Sequence, residues 1–166
     1  MNITQLVFSW PREAQYSCEP SAYEGWAIED YDFEISGMTP QLGDSRTWEG
    51  QKWQVSQIEE YGSDDDPNSS FSVAVLTLDG NPAERDPWEG SGERVMYACI
   101  SPDDVLFGLP EDRSALPQLG SEVKNLPGWR VSTIREFEPQ ASSTYDRVFV
   151  CWCAAIAVPS REAIAA

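Results

Sequence analysis

Carboxylates, thiols and indoles are the side chains of this chain that could do chemistry, because histidine is absent altogether. That single absence removes Ser–His and Cys–His nucleophile pairs, imidazole bases and histidine metal ligands. Nothing fits the Gly-x-x-x-x-Gly-Lys or Gly-x-Gly-x-x-Gly phosphate loops, whose backbone amides would cradle a nucleotide. No cofactor is expected.

The densest acidic run is Asp64-Asp65-Asp66-Pro67-Asn68. It places Asp64, Asp66 and Asn68 at alternate positions, like the opening of a calcium loop. The glycine that such a loop needs next is Ser69, and the bidentate acid falls on Val75. A solvated hairpin loop is the expectation, with adventitious cation binding as its competitor. The thiols are Cys18, Cys99, Cys151 and Cys153. Cys151-Trp152-Cys153 lacks the Cys-x-x-Cys spacing of zinc knuckles and redox sites, so buried, reduced thiols are expected and no metal is assigned.

Acids are too frequent for a glycosidase-like carboxylate pair to be singled out. Glu60 and Glu136 are the least arbitrary choice, for a reason given below. The indoles offer a different chemistry. Trp48 and Trp88 are each followed by Glu-Gly, at Trp48-Glu49-Gly50 and Trp88-Glu89-Gly90. An indole beside an acid on a loop suits a binding rim for a partner rich in Lys or Arg. Core packing is the expectation for most of the seven tryptophans.

Charge narrows the partners. Eleven basic residues face 28 acidic ones, a formal charge of −17. Residues 1–80 carry 15 acids and 3 bases, whereas 81–166 carry 13 and 8. Nucleic acid and anionic membranes are disfavoured, because both need a basic surface. A basic protein partner, a cation or simple solubility fits. The opening MNITQLVFSW has no basic stretch or long apolar run, and no segment reaches the roughly eighteen apolar residues of a membrane span. With four thiols and no secretory signal, a cytoplasmic location is expected.

Two stretches must position these residues, and they say nearly the same thing. Pro40-Gln41-Leu42-Gly43 precedes Trp53-Gln54-Val55-Ser56-Gln57-Ile58-Glu59-Glu60-Tyr61. Pro117-Gln118-Leu119-Gly120 precedes Trp129-Arg130-Val131-Ser132-Thr133-Ile134-Arg135-Glu136-Phe137. The offsets are 77 and 76 residues. Glu60 and Glu136 therefore occupy equivalent positions. Each block leads through a polar turn into an apolar run, 71–78 in one case and 147–153 in the other, which reads as a strand. Upstream, 25–35 and 94–100 read as further strands.

The expected architecture is all-β, an internal duplication with one unit at 1–80 and another at 81–166, packed as one body. Mixed α+β is the alternative. A glycine turn, Trp-x-Val in a strand, a polar loop and a second strand broadly resemble small SH3-like barrels. The resemblance implies two such barrels, and one sandwich built from both repeats fits equally. Trp53 with Val55, and Trp129 with Val131, share a strand face and should enter the core. Ile58 and Ile134 fall out of phase with that alternation, so a β-bulge or a strand end is expected there. The repeated positions in general read as core. Ser101-Pro102-Asp103-Asp104 reads as the start of a one-turn helix, and 160–166 as a short helix or a frayed tail.

A non-catalytic protein-interaction module with an acidic, Trp-bearing surface is thus the first expectation of function. A carboxylate hydrolase, with or without a divalent cation, is the second, and a structural subunit of a larger assembly is the third.

Overall fold

The computed structural model describes residues 1–11, 29–83, 85, 92–141 and 143–157. Nine strands and one short turn of 3-10 helix make up the described elements, so the chain is all-β. Among the described residues no helix is long and apolar enough to cross a membrane. Chain contacts divide the protein into two compact units. Unit 1 is Met1–Glu93 with Phe137–Asp146, and unit 2 is Arg94–Glu136 with Arg147–Ala166.

Unit 1 contains β1 (Asn2–Ser9), β2 (Glu29–Ser36), β3 (Ser45–Trp48), β4 (Gln51–Gly62) and β5 (Ser70–Thr77). Their order is β2-β1-β5-β4, with β3 paired to β4. The β1–β5 pair is parallel, whereas β1–β2, β3–β4 and β4–β5 are antiparallel. Unit 2 contains β6 (Val95–Ile100), β7 (Val105–Gly108), most of β8 (Trp129–Pro139) and β9 (Arg147–Ala155). The order is β7-β6-β9-β8, again with one parallel pair, β6–β9, and an antiparallel β6–β7. Each unit thus places its last strand between the first and the penultimate one.

The agreement extends to single hydrogen bonds. Gly43 N donates to Val55 O at 2.9 Å, and Gly120 N donates to Val131 O at 2.8 Å. Asp44 N reaches Gln41 O, and Ser121 N reaches Gln118 O, each at 3.0 Å. Ser56 Oγ donates to Val75 O, as Ser132 Oγ does to Trp152 O. Ser45 pairs with Gln54, and Glu122 forms the matching bridge with Arg130. Gly43 and Gly120 sit at φ +89° and +84°, and a Cβ there would meet nothing within 4 Å. Alanine at either turn therefore costs backbone strain alone, about 1 kcal/mol each. Urea unfolding of Gly43→Ala and Gly120→Ala should show equal losses. Unequal losses would mean that the two turns are held differently.

The out-of-phase isoleucines are explained by a bulge. The β4–β5 register shifts between Val55 and Gln57. One extra residue, Ser56, changes the parity of everything after it. Ile58 thereby packs on the same cluster as Trp53, Val55, Leu6, Phe8, Ala74 and Leu76. In unit 2, Ile134 packs with Trp129, Val131, Cys99, Cys151 and Cys153. Trp53, Val55 and Val131 are buried, and Trp129 is half-buried.

Other expectations need correction. Leu42 and Leu119 belong to the repeated blocks but are not core: they are 68% and 69% exposed. A tight turn closed by a left-handed glycine pushes its central residues outward. Residues 101–104 do not start a helix. Ser101 Oγ accepts from Asp103 N and Asp104 N as a helix cap would, but Ser101 N also donates to Asp104 O. That last bond closes the β6–β7 hairpin instead. The expected tail at 160–166 lies outside the described residues.

Strand β1 was not legible as a strand, since Asn2, Thr4, Gln5 and Ser9 interrupt its apolar residues. All eight of its residues are buried. Asn2 and Thr4 are tolerated because partners meet them, whereas Gln5 Nε2 is buried without a hydrogen-bond partner. Asn2 Nδ2 donates to Thr4 Oγ1 at 2.7 Å, and Asn2 Oδ1 accepts from Ser70 and Ser72 of the parallel neighbour β5. A buried polar group costs little once it is hydrogen-bonded.

Candidate functional site

Past the Ser56 bulge, Glu59 pairs with Val73 and Tyr61 with Phe71, while Ile58 and Glu60 take the alternate positions. The bulge thus sends Glu59 and Tyr61 to one face of β4 and Ile58 to the other. On the Glu59 face, segment 143–145 of the same unit is clipped down by side-chain hydrogen bonds. Thr144 donates to Glu59 Oε1 from its backbone N at 2.8 Å and from Oγ1 at 2.6 Å. Tyr61 Oη donates to Glu59 Oε2 at 3.1 Å and accepts from Tyr145 N at 3.1 Å. Tyr145 Oη donates to Gln5 Oε1 at 3.0 Å.

A guanidinium completes the clip. Arg85 holds Glu29 through Nε at 2.7 Å and Nη2 at 3.3 Å, and Nη1 donates to Thr144 Oγ1 at 3.0 Å. Burial pulls the Arg85 group down, but the hydrogen bond and charge of Glu29, with the charge of Glu59, outweigh it and leave it raised. Tyr31 donates to the same Glu29 at 2.8 Å.

Burial first, and then the Glu59 charge, push the Tyr61 hydroxyl well above its ordinary 10.0. An unfolded chain ionises that phenol first. Its contribution to stability is therefore intact below about pH 10 and is lost as pH climbs through the raised folded value. Denaturation midpoints measured from about pH 9 to about pH 11 should fall in the native protein and fall less steeply in Tyr61→Phe. Tyr31 is raised too, chiefly by burial, so some slope should remain.

Beside this clip lies an open groove of about 550 Å³. Its walls are the first repeated turn (Pro40, Gln41, Leu42), strand β4 (Ile58, Glu59, Glu60) and Gln140, Ala141 and Ser143. Gln140 N donates to Glu60 O at 3.0 Å and anchors that stretch to β4. Glu60 is exposed, whereas Glu59 is half-buried and already engaged at both oxygens. The groove therefore offers exposed carboxylate, amide and aliphatic surface.

The residues singled out in sequence are not gathered at one place. Glu60 lines the groove. Glu136, its counterpart in unit 2, is ion-paired with Arg147. Trp48 packs inward: its ring stacks on Phe8 at 4.7 Å, and its carbonyl accepts from Trp53 Nε1 at 3.2 Å. Trp88 and Cys18 lie outside the described residues. Asp64 is exposed on its loop. Asp66 is occupied by its own turn, with Oδ1 accepting from Asn68 N and Oδ2 from Ser69 Oγ. The carbonyl of Asn68 accepts from the Met1 ammonium at 3.0 Å. Among the described residues no cluster of three or more His, Cys, Asp or Glu side chains is placed to hold a metal ion.

Sequence reasoning missed Glu59, although the signal was present. The out-of-phase Ile58 implies a bulge, and a bulge puts Glu59 and Tyr61, which share a face by alternation, opposite Trp53 and Val55. The equivalents of Glu59 and Tyr61 are Arg135 and Phe137, so the clip is not repeated at the second block. Arg135 instead lies over the Trp152 ring, 5.5 Å from its centroid.

The fold is all-β, and unit 1 carries an open, acid-lined groove. No protein-family model matches the chain, and no curated protein or solved structure matches it either.

Proposed function

We propose that this chain is a non-catalytic binding module, built by duplication of one β unit, whose unit 1 groove receives a basic segment of a protein partner. The observation that carries this reading is the groove itself, an open recess that sets exposed Glu60 beside aliphatic Leu42 and Ile58. Carboxylate next to aliphatic surface suits a lysine or arginine side chain, whose stem is apolar and whose head is charged. The surplus of 12 acids over bases in residues 1–80 would steer such a partner. A location in the cytoplasm is in keeping with the reduced thiols of unit 2.

The hydrolase alternative is less well supported. Glu59 and Glu60 are neighbours on a strand and point to opposite faces, which does not make a facing pair of carboxylates. Glu59 also serves the clip with both oxygens.

Immobilised protein should capture a basic partner at low salt and release it at high salt. Glu60→Lys should weaken capture about tenfold or more, equal to about 1.4 kcal/mol, and Leu42→Ser, which removes aliphatic surface without adding charge, should weaken it to a smaller extent. A partner that ignores both substitutions and salt would sink the proposal, as would the absence of any partner.

A further inference from the structure

Unit 2 buries three thiols, Cys99, Cys151 and Cys153, in one apolar cluster with Val123, Leu126 and Val131. Strands β6 and β9 run parallel there, and Cys99 stands directly opposite Cys151. Paired residues of adjacent strands send their side chains to the same face, about 4.8 Å apart at the backbone. That separation lies inside the Cα span of roughly 4.4–6.8 Å that a disulfide bridges.

We propose that Cys99 and Cys151 are an oxidisable pair, able to close a disulfide between β6 and β9. A small disulfide supplies the oxidant. One protein thiolate attacks a sulfur of that disulfide, forms a mixed disulfide and releases one small thiol. The second protein thiolate attacks the mixed disulfide, closes the Cys99–Cys151 bond and releases the second small thiol. Two protein thiols are oxidised, one small disulfide is reduced to two thiols, and the two protein protons end on the released molecules.

The surroundings set the rate. The hydrogen bond from Cys151, followed by burial, pushes the Cys99 thiol far up, so the thiolate is scarce in the closed core. The resting state is therefore the dithiol, and exchange waits on local opening of the strands. Cys153 is pushed up to about 11, chiefly by burial. It lies two residues beyond Cys151 on the same strand face and also neighbours Cys99, but it is outside the β6 pairing, so the register favours Cys151 as the partner.

The test uses the full chain carrying Cys18→Ala, with cystamine as oxidant because its positive charge suits an acidic protein. Alkylation, intact mass and peptide mapping should show a product two hydrogens lighter, cross-linked between positions 99 and 151. Its melting temperature should rise and should return after reduction. Cys99→Ala should give no cross-link. A second arm in denaturant below the unfolding midpoint lets the core open transiently. Mixed disulfides alone, a bridge involving Cys153, or thiols unreacted in both arms would overturn the assignment.

Discussion

Trp53→Ala should remove about 3–5 kcal/mol of unfolding free energy, measured by urea or guanidinium titration. Trp53 is fully buried and meets two aromatic rings edge-on, Phe8 at 5.4 Å and Trp10 at 4.8 Å. Its indole N–H also holds the Trp48 carbonyl, which keeps the β3–β4 turn over the core. Alanine leaves a void that neighbours fixed in strands fill only in part, and it unties that turn. Trp129→Ala, at the equivalent but half-buried position, should cost clearly less. Equal losses would show that burial at Trp53 does not set its contribution.

Glu59→Leu should be the next most damaging change, at about 2–5 kcal/mol. The substitution strands the Thr144 amide and hydroxyl and the Tyr61 hydroxyl, and it leaves Arg85 with Glu29 as its remaining carboxylate neighbour in the clip. Each buried donor without a partner costs about 1–3 kcal/mol, and the losses overlap because Thr144 and Arg85 share one network. Glu59→Gln keeps an acceptor for Thr144 and should recover a large part of the stability. Amide exchange at Thr144 and Tyr145 gives a local readout, which should accelerate in Glu59→Leu before global unfolding. Unchanged protection there would mean that the 143–145 segment is held by something other than this carboxylate.

Much of unit 1 and unit 2 can be followed from the repeated blocks. Trp-x-Val names the buried face, and the misplaced isoleucine signals the bulge. Strand β1 could not be followed, because its polar Asn2 is satisfied by Ser70 and Ser72 of β5, more than sixty residues away. The groove was equally hidden. Glu60 is marked by its repeat position, but its neighbour Gln140 arrives from the far end of the chain, and Thr144 and Arg85 reach Glu59 only in the folded unit. Trp48 looked like a loop indole available to a partner, yet Phe8 claims its ring.

Local alternation, turn chemistry and self-similarity are short-range properties, and from them alone come the β-rich class, the two related blocks, the buried Trp53 and the acidic character. The parallel strand pairs, the outward leucines of the two glycine turns and the Glu59 clip were settled by tertiary structure. They depend on which distant strand lies alongside. Hydrogen-bond partners separated by eighty residues leave no periodic trace in the chain.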